Sequence, residues 1–200
     1  TVDGKVYTQQ LVVNNDPRQP VTPQLMAAMR AQQTITLDAY EGMKESYAAN
    51  EEVGQVRAQL ASLMARQLTP ELETQAKALD TKLATFGGQP AARGGGGPFG
   101  GGRGGPRAPG SMLSFLAVNN SFNVTVSAAQ VGLDMAPTQS QIDTWLADCK
   151  EFNNTIEGWK KMTSEDLANF NKALQQNQQQ PLSVPATRIA GPACNAPKMK

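Results

Sequence analysis

The sequence predicts a mainly α protein: antiparallel helical hairpins forming a four-helix-bundle-like body, with an orphan N-terminal β-strand, a glycine-rich connector and an extended C-terminal tail. Three observations carry that expectation. Apolar residues recur at three- and four-residue steps through 24–86 and again after 113. The stretch from Gly87 to Gly110 holds 12 of the chain's 18 glycines, and such a stretch cannot bury enough apolar surface to offset the backbone freedom it would lose on folding. Residues 181–200 carry four prolines and little periodicity. The chain therefore divides into a strand or arm (1–20), a long helical hairpin (21–86), a Gly/Arg-rich connector (87–110), a second helical segment (111–176) and a tail (177–200).

At the N-terminus, Asp3-Gly4 is a hairpin-turn signal, and Val6 to Val13 is β-rich and partly alternating, which reads as a strand. Little sequence precedes the turn, so the strand belongs to a β-sandwich upstream, pairs with an edge on another chain, or is a frayed extended arm; all three readings stand. Asp16-Pro17, Pro20 and Pro23 keep the next stretch extended, and Thr22-Pro23 is an N-cap followed by proline at the first helical position. A helix follows to about Gln67, with Leu25, Met29, Gln32, Thr36, Tyr40, Met43, Tyr47, Val53, Val56, Leu60, Leu63 and Met64 as its apolar stripe. Gly42 and Gly54 mark a bend or a close helix crossing.

Thr69-Pro70-Glu71 repeats the start signal, and Leu72, Ala76, Leu79, Leu83 and Phe86 form the buried face of a second helix antiparallel to the first. After the connector, Ser111 caps a third helix with Leu113, Leu116, Asn120, Val124, Ser127, Ala128 and Val131 on one side. Gly132 to Pro137 interrupts it. Thr138 caps a fourth helix whose face is Ile142, Trp145, Leu146, Cys149, Phe152, Ile156 and Trp159. Thr163-Ser164-Glu165-Asp166 reads as a fresh cap before a short fifth helix carrying Leu167, Phe170 and Leu174.

Composition excludes several function classes. Lys plus Arg is 18 and Asp plus Glu is 17, a net charge of +1, so the chain lacks the basic face that phosphate neutralisation requires and no nucleic-acid partner is expected. No run of apolar residues is long enough for a transmembrane helix. There is no histidine, which removes the commonest general base and metal ligand, and two cysteines are too few for a zinc site. No catalytic residue, cofactor or metal is expected. The chain opens Thr-Val-Asp-Gly, without initiator Met or signal peptide, and reads as a piece of something longer.

The remaining candidates are few. Glu51-Glu52, Glu71-Glu73 and Glu165-Asp166 are carboxylate pairs, read as a solvated helix face and two helix starts. Arg93, Arg103 and Arg107 stand among glycines beside Phe99, too thin for an RGG-type nucleic-acid segment. Trp145 and Trp159 are rungs of one helix face, suited to core packing and, as the alternative, to a glycan platform with Tyr40. Asn119, Asn123 and Asn153 open glycosylation triplets. Cys149 and Cys194 form a disulfide in an oxidising compartment, or else Cys149 is buried and Cys194 a free tail thiol. Expected partner contacts are Val6, Leu11, Val13, Phe99, Arg103, Arg107 and Arg188.

Two stretches carry a resemblance. TVDGKVYTQQLVVNNDPR resembles the last strands of the immunoglobulin-like module of bacterial sortilin-like (BNR-repeat) glycosyl hydrolase homologues, and PGSMLSFLAVNNSFNVTVSAAQVGLDMAPTQSQIDTWLADCKEFNNTIEGWKKM resembles the second half of their helical C-terminal region. The likeness covers about residues 1–86 and 109–176. It rests on DGK…DPR, the APTQ helix start and the Trp159-Lys160 helix end, and the Gly/Arg-rich insert and cysteine-containing tail depart from it. It implies an exported bacterial protein without the β-propeller that would hold any catalytic acids. The expectation that follows is a non-catalytic structural subunit of a larger extracytoplasmic or membrane-associated complex, energy-converting ones included, with other protein subunits as partners. The alternative is the accessory domain of a carbohydrate-active hydrolase. A bare helical dimerisation module is a third reading.

Overall fold

The computed structural model describes residues 3–14, 17–18, 21–87, 114–131, 135–183 and 189–197; side chains from Ala129 to Val131 are left aside. The protein is mainly α. Helix α1 spans Pro23–Met64, α2 Pro70–Gly87, α3 Phe115–Val131, α4 Gln139–Lys161 and α5 Ala168–Gln176. Most starts follow from their caps. The Thr22 hydroxyl accepts from the Leu25 N–H at 3.1 Å, Thr69 accepts from Leu72 at 3.3 Å, and Thr138 and Gln141 form a reciprocal capping box at α4. For α3 the cap is Ser114, which accepts from the Ala117 N–H at 3.2 Å; the expected cap, Ser111, lies outside the described residues.

The expected break at Thr163–Asp166 does not occur. The chain passes from α4 to α5 through a π-helical segment, Met162–Leu167. Instead of capping, the Thr163 hydroxyl donates back to the carbonyls of Trp159 and Lys160 at 3.0 and 2.9 Å, and Ser164 donates to that of Lys161 at 3.2 Å. Turned this way the hydroxyls share the helix acceptors and do not nucleate a new start. Helix α5 ends in a Schellman motif: Gln178 takes φ 56°, Gln179 N–H bonds the Leu174 carbonyl at 2.8 Å, and Gln178 N–H bonds that of Gln175 at 3.1 Å.

The helices assemble as three long rods. At about 1.5 Å per residue α1 is roughly 63 Å long. Helix α2 returns along its C-terminal half, with Arg57 forked onto Asp80 at 2.8 and 3.2 Å and Gly87 against Val53. Helix α3 returns along its N-terminal half, with Asn119 donating to the Met43 carbonyl at 2.7 Å and Phe122 over Gly42. Helices α2 and α3 thus lie in succession along α1, where a four-helix-bundle-like body would set them side by side. The α4–α5 rod runs antiparallel to both: Phe122 meets Trp145, Phe115 meets Phe152, and Lys82 pairs with Asp166 at 2.6 Å.

The α2–α3 joint is closed by aromatic rings. Phe86 and Phe115 lie 6.4 Å apart, and Trp159 stands edge-on to both at 5.6 and 6.3 Å. Phe86 and Phe115, which precede and follow the glycine-rich connector in sequence, therefore sit beside each other.

Burial matches the sequence where the apolar residues are large. The α2 face is Leu72, Ala76, Leu79, Leu83 and Phe86, and α4 and α5 bury their expected residues except for half-buried Leu146. In α1 the upper stripe is Ala31, Ile35, Ala39, Gly42, Ser46 and Ala49, while Tyr40 and Tyr47 are exposed. In α3 the buried positions are Phe115, Val118, Phe122, Thr125 and Val126, and Val124 is exposed. Glu52, expected on a solvated face, is buried and accepts from the Trp159 indole N–H at 3.3 Å.

The two terminal arms behave differently from each other. The tail finds its surface on the chain's own helices. Asn171 both donates to the Leu182 carbonyl and accepts from its N–H, at 2.9 and 2.8 Å. Gln59 does the same for Ser183, at 3.1 and 2.9 Å. Farther on, a disulfide joins Cys194 to Cys149 on α4. Gly191 lies so close to α4 that a Cβ there would overlap the Asn153 side-chain oxygen. The N-terminal segment turns at Asp3 and Gly4, both at positive φ (51° and 75°), as a type I′ turn requires. Beyond an isolated bridge at Lys5, residues 6–14 join neither strand nor helix.

The two α1 glycines predict opposite outcomes. A Cβ at Gly42 would stand 2.7 Å from the Phe122 ring, whereas one at Gly54 meets nothing within 4 Å. In urea denaturation Gly42→Ala should cost about 1–3 kcal/mol through overpacking, and Gly54→Ala should add up to about 1 kcal/mol.

Candidate functional site

The feature that departs furthest from a satisfied globular surface is the N-terminal segment. Val6, Leu11 and Val13 are 80%, 86% and 84% exposed, and Tyr7 and Val12 are exposed beside them. Among the described residues no backbone hydrogen bond reaches 6–14. Five large apolar residues thus stand in water on a stretch that joins no helix or strand among the described residues. Of the other residues expected to contact partners, Phe99, Arg103, Arg107 and Arg188 lie outside the described residues.

The helical body is chemically quiet. Among the described residues no cluster of His, Cys, Asp or Glu could hold a metal ion, and no helix is long and apolar enough to cross a membrane. Trp145 and Trp159 are buried core residues, so neither indole offers a face to a sugar. Tyr40 is half-exposed, with the Lys44 ammonium 5.9 Å from its ring centre. Glu51 is exposed and Glu52 buried, so that pair is split between solvent and core; Glu71 and Glu73 sit exposed in the first turn of α2. Of the glycosylation triplets, Asn119 is spent on Met43 and Ser46 and Asn153 donates to the Cys194 sulfur at 3.1 Å; Asn123 is exposed.

Besides a cleft of about 400 Å³ between the C-terminal part of α1 and residues 180–183, two smaller clefts and one carboxylate stand out among the described residues. A cleft of about 230 Å³ opens between α1, α3 and the start of α4, walled by Ile35, Val124 and Ala128 with Gln32 and Thr125. A second, about 220 Å³, lies beside the π segment, between Leu79, Lys82, Asp166, Asn169 and Phe170. Asp148 on α4 is partly buried against α3 and accepts from the Ser121 hydroxyl at 2.6 Å and the Thr125 hydroxyl at 3.3 Å. Burial pushes its pKa up, the two hydroxyls pull it back, and Glu151 adds a smaller upward push. This carboxylate was not singled out from the sequence, because its partners lie on another helix.

The disulfide and the tail form one unit. Trp145 N–H reaches the Asn195 carbonyl at 3.4 Å, and Ile189 and Cys194 pack against the core. The tail here covers part of α4 that would otherwise face water. Compared with known proteins, the chain matches no family model, no curated sequence and no solved structure.

Two measurements check this geometry. Closing 45 residues of chain is worth about 4 kcal/mol of unfolded-state entropy; reduction, or Cys149→Ser with Cys194→Ser, should lower stability by up to about that amount. The unreduced protein should react with no thiol reagent. Asp148 has a folded-state pKa above its unfolded value. It therefore favours the folded state below the ordinary carboxylate range and loses that contribution as pH rises through the raised pKa. From pH 3 to 7 the stability of Asp148→Asn should rise relative to that of the parent, read as the difference between their denaturation midpoints.

Proposed function

We propose that the chain is a non-catalytic structural or assembly subunit of a larger extracytoplasmic or membrane-associated bacterial complex. Its helical body is the docking unit, and its N-terminal segment is the adhesive element. The observation that carries this reading is the exposure of Val6, Tyr7, Leu11, Val12 and Val13 on a segment that joins no helix or strand among the described residues. Residues of this kind belong at the core of an interface or on a sheet edge. The Cys149–Cys194 bridge supports an oxidising, extracytoplasmic setting. Of the three aromatic residues a glycan platform would use, both tryptophans are buried and Tyr40 alone is exposed, which favours the assembly reading.

The tail does not serve as a second free arm, since its backbone is already engaged by Asn171 and Gln59. Adhesion is left to the other end of the chain. In a native extract of its own cells, the tagged chain should migrate far above the mass of one chain. A version lacking residues 1–14 should keep its helical content and migrate as a single chain. Migration of the intact protein as a monomer in that extract would overturn the assembly role.

A further inference from the structure

The N-terminal segment has a symmetry that names a partner. Residues 6–12 read V-Y-T-Q-Q-L-V, with no charge and no proline. A symmetric antiparallel pair of identical strands must place one residue opposite its own copy, because a two-fold axis normal to the sheet preserves its faces. Centred on Gln9, the pairing sets Tyr7 opposite Leu11, Val6 opposite Val12, and Thr8 opposite Gln10. Within 6–12 each apolar side chain then meets an apolar one and each polar side chain a polar one, with the two Gln9 amides facing each other across the axis, and the mismatch of Val13 with Lys5 falls at the ends of the ribbon.

Neighbouring registers fail this test. Centred on Thr8, Tyr7 and Val6 would meet Gln9 and Gln10, and Lys5 would meet Leu11. Centred on Gln10, Leu11 would meet Gln9, Val12 would meet Thr8, and Val6 would meet Asn14. One register is singled out because a two-residue slip brings polar groups against apolar ones on both faces.

We propose that residues 6–12 pair antiparallel with the same segment of a second copy of this chain, in register about Gln9. The inference rests on the adhesive role given above to this segment and adds its occupant. Two observations support it. The segment joins no helix or strand among the described residues. Its apolar side chains are exposed. A two-stranded ribbon is weak on its own, so the dimer forms at high micromolar concentration.

The test uses the full chain with single cysteines. In the proposed register residue 9 faces its own copy, within reach of a disulfide. Residue 10 stands about 8 Å from its copy across and along the ladder, beyond the roughly 7 Å that a disulfide spans. Under mild oxidation Gln9→Cys should convert mostly to a covalent dimer, at least tenfold faster than Gln10→Cys. Light scattering of the parent at high concentration should give the dimer mass, and Leu11→Asp should return it to monomer while circular dichroism is unchanged. Equal bridging by both cysteines, bridging by neither, a monomeric parent, or masses above the dimer would each overturn the pairing. A monomeric purified chain that still migrates as a large complex in native extract would sink the self-pairing alone and leave the assembly role standing.

Discussion

The close approach of α3 to α1 at Gly42 governs the body of this protein. The Phe122 ring occupies the space that any side chain at position 42 would take. Ala31, Ala39, Ser46 and Ala49 keep the rest of that α1 face low enough for α3 to lie along it. Small residues on one helix against large rings on the other is a ridge-and-groove solution in which the groove is a missing side chain. Once α3 is seated there, Phe115 and Phe122 are aimed at Phe152 and Trp145, and the third rod has its docking surface. The Ser121 and Thr125 hydroxyls then face Asp148 and fix how α3 and α4 meet.

That packing explains what could be read beforehand. The faces of α2, α4 and α5 are written in leucine, phenylalanine and tryptophan at helical spacing, and their burial follows from the sequence almost residue by residue. The upper half of α1 is written in alanine, glycine and serine, which carry little hydrophobic signal. The nearby tyrosines drew the predicted stripe to the wrong side. In α3 the expected face holds Leu116 and Val124, but the buried one follows the helical spacing of Phe115, Val118 and Phe122. The Schellman turn after α5 had no glycine to announce it: Gln178 takes the left-handed conformation at a cost of about 1–2 kcal/mol, met by two backbone bonds and by the tail that follows.

The tail shows why composition alone misjudged a segment. Prolines and weak periodicity argue that it cannot fold by itself, and that remains sound. What the composition could not reveal is that two side-chain amides, Gln59 and Asn171, present a donor and an acceptor to successive residues of the tail, as a neighbouring strand would. With the bridge to Cys149, they bind the tail to its own body. The N-terminal segment, richer in β-branched residues and equally unable to fold alone, meets no such amides among the described residues and leaves its apolar side chains exposed.

The ring contact between Phe86 and Phe115 bears on how the chain tolerates change. Because these two residues touch across the α2–α3 joint, the polypeptide between them has no span to cover. Its closure entropy grows only logarithmically with its length, each doubling adding about 0.6 kcal/mol. Natural variation should therefore lengthen or shorten this passage with little effect on the rods, making the joint a permissive site for acquiring new sequence while the helical register on either side is conserved.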